Sequence, residues 1–304
     1  MFKISGGNLN VTGEGMIESK QGDVFSVTGN TAADNSPPKE SGLTIGADVN
    51  VKALWNCIWI AGNGAEADVY GSLSSTGVYA VIQGNGTMNN TTDNGGTVVN
   101  IYDGASVTHD ANDATAHLAI YQPQAGILNI YGGTISAVQD GSTAVEVRAG
   151  TLNISGDAVI TGGSGEPAST GNGSGSTTSN AAVAIAQHTT KKPITVNIEG
   201  GTLTGGAALY ESDPNNIYGS DSDAEKPDIE VTGGTFSGAV SSNNMTGFIA
   251  GGTFTETVGE NLLAEGCKLE NNTVVPSDDS VASIGSKGYT SLKAAVKAAK
   301  DGDT

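Results

Sequence analysis

The sequence predicts an all-β fold: a right-handed parallel β-helix, or solenoid, of about eight to nine irregular three-strand coils, with a short α/β segment at the C-terminus. Three observations predict it. The composition is hostile to helices, a short phrase recurs along the chain, and apolar and polar residues alternate wherever that phrase occurs.

Gly supplies 45 of the 304 residues, charged residues only 15%, and Thr, Ser and Asn are abundant. Gly costs a helix interior roughly 1 kcal/mol per position relative to Ala, and short polar or β-branched residues are also poor helix formers. Many short strands separated by tight turns accommodate the same residues without that penalty.

The recurring phrase is apolar, polar, apolar, any residue, then a turn rich in Gly. It reads Leu9-Asn10-Val11-Thr12-Gly13, Leu43-Thr44-Ile45-Gly46, Ala67-Asp68-Val69-Tyr70-Gly71 and Val99-Asn100-Ile101-Tyr102-Asp103. It returns as Leu128-Asn129-Ile130-Tyr131-Gly132, Leu152-Asn153-Ile154-Ser155-Gly156, Val196-Asn197-Ile198-Glu199-Gly200 and Ile229-Glu230-Val231-Thr232-Gly233. Subtracting first residue numbers gives spacings of 34, 24, 32, 29, 24, 44 and 33. The shortest suits one β-helix coil, and the longer ones suit coils carrying inserted loops.

Each coil is expected to hold two more strands. A second strand follows the turn, as in Thr134-Ile135-Ser136, Ala158-Val159-Ile160, Thr202-Leu203-Thr204 and Thr235-Phe236-Ser237. A third follows, as in Cys57-Ile58-Trp59-Ile60, Leu118-Ala119-Ile120-Tyr121, Val145-Glu146-Val147-Arg148 and Val183-Ala184-Ile185-Ala186. Period-two alternation puts Leu, Ile and Val inside, where stacked coils share one apolar interior that no single coil can bury. Phe248-Ile249-Ala250-Gly251-Gly252-Thr253 fits either the end of one coil or the start of the next.

The insertions are segments 30–41 with Pro37-Pro38, 85–96 and 162–180, which read as flexible loops, and an acidic loop over 212–227 with Asp213, Asp221, Asp223 and Glu225. Residues 1–276 form the expected β-helix domain. From 277 to 304 the texture changes, and the start of a following module is expected: a strand over Val281 to Ile284, then a helix from Ser291 to Lys300 capped by Thr290. Leu292, Ala295, Val296 and Ala299 share one face of that helix, and the turn Asp301-Gly302-Asp303 follows. The opening Met1-Phe2-Lys3-Ile4-Ser5-Gly6-Gly7 lacks the layout of a signal peptide and reads as the start of a piece of something longer.

Lys and Arg total 13 against 32 Asp and Glu, a net charge of −19. Such a surface repels nucleic-acid phosphates and anionic lipid, and it favours solubility outside a cell. No apolar run is long enough to span a bilayer. Cys57 and Cys267 lie near opposite ends of the expected stack, too far apart for a disulfide.

The phrases Gly200-Gly201-Thr202-Leu203, Gly233-Gly234-Thr235-Phe236 and Gly251-Gly252-Thr253-Phe254, with the ending Tyr289 to Thr304, resemble those of Gram-positive, gut Firmicutes-type cell-surface proteins. Those are adhesin-like proteins with pectate-lyase-like parallel β-helix repeats. Residues 289–304 are similar to the helix-and-turn entry of such β-helices. The resemblance covers most of the chain as a repeat style. It implies an extracellular, wall-associated, multi-module adhesin-like protein, and it carries no catalytic residue to any position here.

Two outward-facing features are candidate sites. The first strand has Asn at its outward position in five of eight copies: Asn10, Asn100, Asn129, Asn153 and Asn197. Stacked amides form a structural ladder without any ligand, or offer a polar face to a glycan. The outward third-strand positions are unusually apolar. Trp59, Val81, Ala119, Ala184 and Phe248, with Tyr121, Glu146 and Arg148 alongside, form an expected exposed stripe. Such a stripe marks a partner site or a surface covered by the chain's own loops. The expected partner is a host surface protein, a glycan or another copy of the chain.

Catalytic signals are sparse. The one Arg, Arg148, lies beside Glu146 and reads as a solvated pair. Asp140 and Glu146 are the carboxylates that a polysaccharide lyase or glycoside hydrolase reading requires. His109, His117, Asp110 and Asp113 cluster without a recognised metal-ligand spacing. Ca²⁺ is conceivable at the acidic loop, which lacks the Asp-x-Asp-x-Asp-Gly pattern, and no other cofactor is expected. A passive spacer is the remaining alternative. No phosphate loop, nucleophile elbow or Cys-x-x-Cys pair occurs.

Overall fold

In the computed structural model the chain is nearly all β and is built on long parallel sheets. The structure describes residues 1–30, 40–86, 95–110, 117–173, 175–221 and 223–303.

Eight strands stack in chain order as one parallel sheet: Gly7–Val11, Ser41–Ile45, Ala65–Val69, Thr97–Ile101, Gly126–Ile130, Gly150–Ile154, Ile194–Ile198 and Asp228–Val231. These are the eight copies of the recurring phrase, and they pair in the register of the phrase itself. Leu9 lies on Leu43, then Ala67, Val99, Leu128, Leu152, Val196 and Ile229. A one-residue slip would turn each of these inward side chains to water, so the alternation sets the register.

The second and third strands of the repeat join into a larger sheet, because Thr202–Ser212 and Thr235–Ser242 run through the corner between them. One buried row runs from Ile17 through Val51, Leu73, Val107, Ile135, Ile160, Leu203 and Phe236 to Phe254. Another runs from Phe25 through Ile58, Ile82, Ile120, Val145, Val183 and Leu209 to Val240. The three rows meet in one continuous apolar core. Burying each Leu, Ile or Val there contributes about 1.5–3 kcal/mol relative to leaving it exposed.

The Gly-Gly-Thr phrases have a backbone cause. Gly133, Gly201 and Gly234 have φ of 78°, 85° and 99°. A Cβ at Gly133 would lie 2.6 Å from the carbonyl oxygen of Ala105 in the strand layer below. The turn needs left-handed backbone and close approach together, which only Gly combines without strain.

Phe248 to Gly252 belongs to the next repeat. Ile249 bridges Val231 in parallel, and Thr253–Phe254 pairs with Thr235 and Phe236. One further parallel bridge, Leu263 on Ile249, ends the parallel stacking. An antiparallel hairpin, Cys267–Glu270 with Thr273–Pro276, closes this end. A second hairpin, Ala282–Ile284 with Lys287–Tyr289, is held to the stack by Lys287 on Glu230 at 2.8 Å and Thr290 on Glu265 at 3.0 Å.

The helix after it spans Leu292–Ala298, and its N-cap is Ser291, which accepts from the Ala294 amide. Thr290 is engaged by Glu265 instead. The expected apolar face is not buried: Leu292 and Val296 are 65% and 69% exposed, and only Ala295 is covered. Residues 31–39, including Pro37-Pro38, and 87–94 lie outside the described residues. Cys57 and Cys267 are both free thiols. Among the described residues no helix is long and apolar enough to cross a membrane.

Candidate binding face

Along the third strands the outward side chains form one file: Ser26, Trp59, Gln83, Tyr121, Glu146, Ala184, Tyr210 and Ser241. The expected exposed stripe is therefore corrected in three ways. Trp59 is half-buried. Val81 and Phe248 belong to the core, not the surface. Val81 precedes a short strand in which Ile82 faces inward and Gln83 outward, and Phe248 packs inside beside the Ile249 bridge. Tyr121, Glu146 and Arg148 are buried, and Ala119 and Ala184 with them.

The cover comes from the insertion 162–180, whose described residues fold back as a strap. Its base is a small antiparallel pair, Ala168–Ser169 with Thr178–Ser179. Its tip lies over Glu146 and Arg148. Ser176 Oγ donates to Glu146 Oε2 at 2.6 Å, Thr177 N and Oγ1 donate to Oε1 at 3.0 and 2.8 Å, and Thr178 Oγ1 donates to Oε2 at 2.8 Å. Arg148 donates to the carbonyls of Gly175 at 2.8 Å, Asn172 at 3.4 Å and Gln187 at 3.5 Å, and to Tyr121 Oη at 3.3 Å. Arg148 Nε stands 3.9 Å from Glu146 Oε1.

The solvated-pair reading is thus overturned, since both side chains are fully buried. The physical reason is that hydroxyls, amides and carbonyls of the strap replace the water both charges lose. Tyr121 donates to the Gly175 carbonyl at 2.9 Å, and its phenol is pushed up to about 12, chiefly by burial.

Beside the strap tip is a cavity of about 270 Å³, walled by Tyr79, Gln83, His117, Tyr121, Gly175 and Ser176. Tyr79, on its wall, meets Trp55 edge-on at 5.6 Å, and these two residues are 44% and 43% exposed. Leu54 and Val78 are exposed next to them. Sequence reasoning passed over Trp55 and Tyr79 because both lie in turns, outside the alternating pattern. The available signal was that Trp55 is one of only two Trp residues in the chain.

His109 and His117 stack at 4.1 Å, and His109 Nε2 hydrogen-bonds the Gly77 carbonyl at 2.8 Å. The structure brings these two together as a support for the cavity floor. Asp113 lies outside the described residues. Among the described residues no three His, Cys, Asp or Glu side chains are grouped to hold a metal ion.

In the acidic loop, Asp213 accepts from the Ile217 and Tyr218 amides, both at 2.8 Å, at the start of the short helix Ile217–Ser220. Asp221 pairs with Lys191 at 2.5 Å. Among the described residues the carboxylates of this loop are not grouped to hold a metal ion.

The eight-stranded sheet carries the amide ladder. Asn197 donates to Asn153, Asn153 to Asn129 and Asn129 to Asn100, each at 2.8 Å, and Asn100 donates to Asp68 Oδ1 at 2.9 Å. Asn10 stands outside this run, because its register neighbour is Thr44. Beside the ladder Tyr70, Tyr102 and Tyr131 stack, with ring centroids 4.2 and 5.5 Å apart. The first pair is nearly parallel at 4°, so those rings cover each other's faces.

No family model matches the chain, and neither a curated protein nor a solved structure matches it.

Proposed function

We propose that the chain is a right-handed parallel β-helix of about eight to nine coils acting as a non-catalytic, adhesin-like binding module on a bacterial cell surface, with a neutral glycan as its ligand. The stacked rows of the three strand families support the β-helix. The resemblance of the Gly-Gly-Thr phrases supports the location.

The observation that carries the binding reading is the exposed Trp55–Tyr79 pair, whose Tyr79 also walls the cavity holding Gln83, His117 and Tyr121. Aromatic rings give apolar faces with little entropy to lose, and amide, imidazole and phenol groups offer the mixed donors and acceptors that a polyhydroxyl ligand needs. A net charge of −19 selects against polyanionic chains. The tyrosine stack on the other face is a weaker platform because its rings use their faces on one another.

The test is titration with di- to hexasaccharides of the cello-, xylo-, manno- and chito-series, followed by tryptophan fluorescence. Binding by at least one series is expected, weakened tenfold or more in Trp55→Ala and Tyr79→Ala. No binding across the panel would favour a passive spacer. Reproducible cleavage of a bound sugar would favour the lyase or hydrolase alternative.

A further inference from the structure

The single Arg of the chain and a carboxylate beside it are wholly buried to hold a loop of Gly, Ser, Thr and Asn. As a device for stability this is poor, because a buried ion pair is often matched or bettered by apolar residues of similar volume. The strap offers little apolar contact in return, and its own backbone is costly to order, being rich in Gly.

The chemistry of the contacts suggests another purpose. Three hydroxyls, from Ser176, Thr177 and Thr178, converge on the two oxygens of Glu146. Oxygen acceptors converge on the guanidinium of Arg148, supplied by Gly175 and Asn172 of the strap and by Gln187. Hydroxyl donors on a carboxylate and oxygen acceptors on a guanidinium are what a chain of sugar residues brings to such a pair. Gly175 and Ser176 are also the wall that ends the cavity, and Tyr121 belongs to both the cavity and the strap contacts. Displacing the strap tip would therefore join the cavity to the Glu146–Arg148 floor along one file of third-strand residues, Gln83, Tyr121 and Glu146.

We propose that Glu146 and Arg148 are a second saccharide subsite, continuous with the Trp55–Tyr79 cleft, and that the strap closes it by placing Ser176, Thr177 and Thr178 hydroxyls where ligand hydroxyls bind. This rests on the glycan-binding reading of the cleft. The short cavity takes one or two sugar units whether the strap is closed or open, and a longer chain engages the subsite only by displacing it. The wild-type protein consequently prefers short ligands to a degree that loosening the strap removes.

The test compares wild type with the double variant Thr177→Val, Thr178→Val, which leaves the cavity wall intact, using the disaccharide and hexasaccharide of the best-binding series. In the variant the hexasaccharide is expected to bind at least tenfold tighter than to wild type, with the disaccharide unchanged. As a check independent of any variant, amide exchange at Thr177 and Thr178 of the wild type is expected to speed up when saturating hexasaccharide is added. Disaccharide binding with no gain for hexasaccharide, or strap amides that become more protected on hexasaccharide binding, would overturn the strap proposal alone. Absence of disaccharide binding in both proteins would overturn the cleft reading and the strap proposal with it.

Discussion

The eight-stranded sheet and the third-strand face grow from the same repeat, yet they treat their outward residues in opposite ways. On the first, Asn100, Asn129, Asn153 and Asn197 satisfy one another along the stack, and no loop is needed to complete them. On the second, Glu146 and Arg148 depend on a strap contributed by residues about 30 positions away. An amide is donor and acceptor at once and can repeat indefinitely. A charge cannot, and must find a different partner in each place. Uniform outward residues therefore make a self-contained surface, and unlike ones need a cover.

The sharpest way to break this contrast is to remove one member of the buried pair. Arg148→Ala strands the Glu146 carboxylate and is expected to cost about 3–5 kcal/mol, whereas Glu146→Leu with Arg148→Met together should cost much less than either alone. Urea titrations of the three variants decide this, and additive losses would refute the coupling.

A second probe is pH. His188 is held down at about 4 by burial and by the nearby Arg148 charge, below its ordinary 6.5. Its Nδ1 accepts from the Thr190 amide at 3.1 Å, so the neutral ring is the form built into the fold. The unfolded chain binds a proton that the folded chain refuses between pH 6.5 and 4, so stability falls as pH is lowered through that window and its His188 component levels off below it. The Tm difference between wild type and His188→Gln should change with pH across this window and be flat above it. A constant difference would remove His188 from the account.

On the ladder face a smaller loss is expected. Asn129→Ala breaks two amide contacts, to Asn100 and from Asn153, and should cost about 1–3 kcal/mol, because it leaves the buried Asn100 Oδ1 and the half-buried Asn153 amide without these partners. Asn10→Ala, outside the run, should be close to neutral, and equal losses at the two sites would show that the ladder adds nothing.

The smallest effect concerns reactivity. The Cys57 thiol, pushed up to about 12 mainly by burial, should resist alkylation in the native protein, while half-buried Cys267 reacts first. Mass mapping of a partly labelled sample separates the two.

Much of the scaffold is legible from residue order alone. The eight phrases from Leu9 to Ile229 pair with one another as the pattern of Leu, Ile and Val requires, because a period of two combined with one buried face leaves a single register. The amide column is legible for the same reason, save for Asn10, where Thr44 interrupts the run. Val81 and Phe248 were misplaced because short strands flanked by turns carry too few residues to show their phase.

Other features have no periodic signal at all. The return of residues 172 and 175–178 over Glu146 and Arg148 depends on hydrogen bonds between segments whose sequences show no relation to each other. The same is true of the meeting of Trp55 with Tyr79, which joins turns of successive layers.

Residue order dictates the strand repeat, the apolar rows and the amide ladder, because each repeats at a fixed step and needs only its own copy as neighbour. Which outward residues stay bare and which are roofed over is settled in the folded chain. That choice turns on where a long insertion finds enough polar partners to replace the water it displaces.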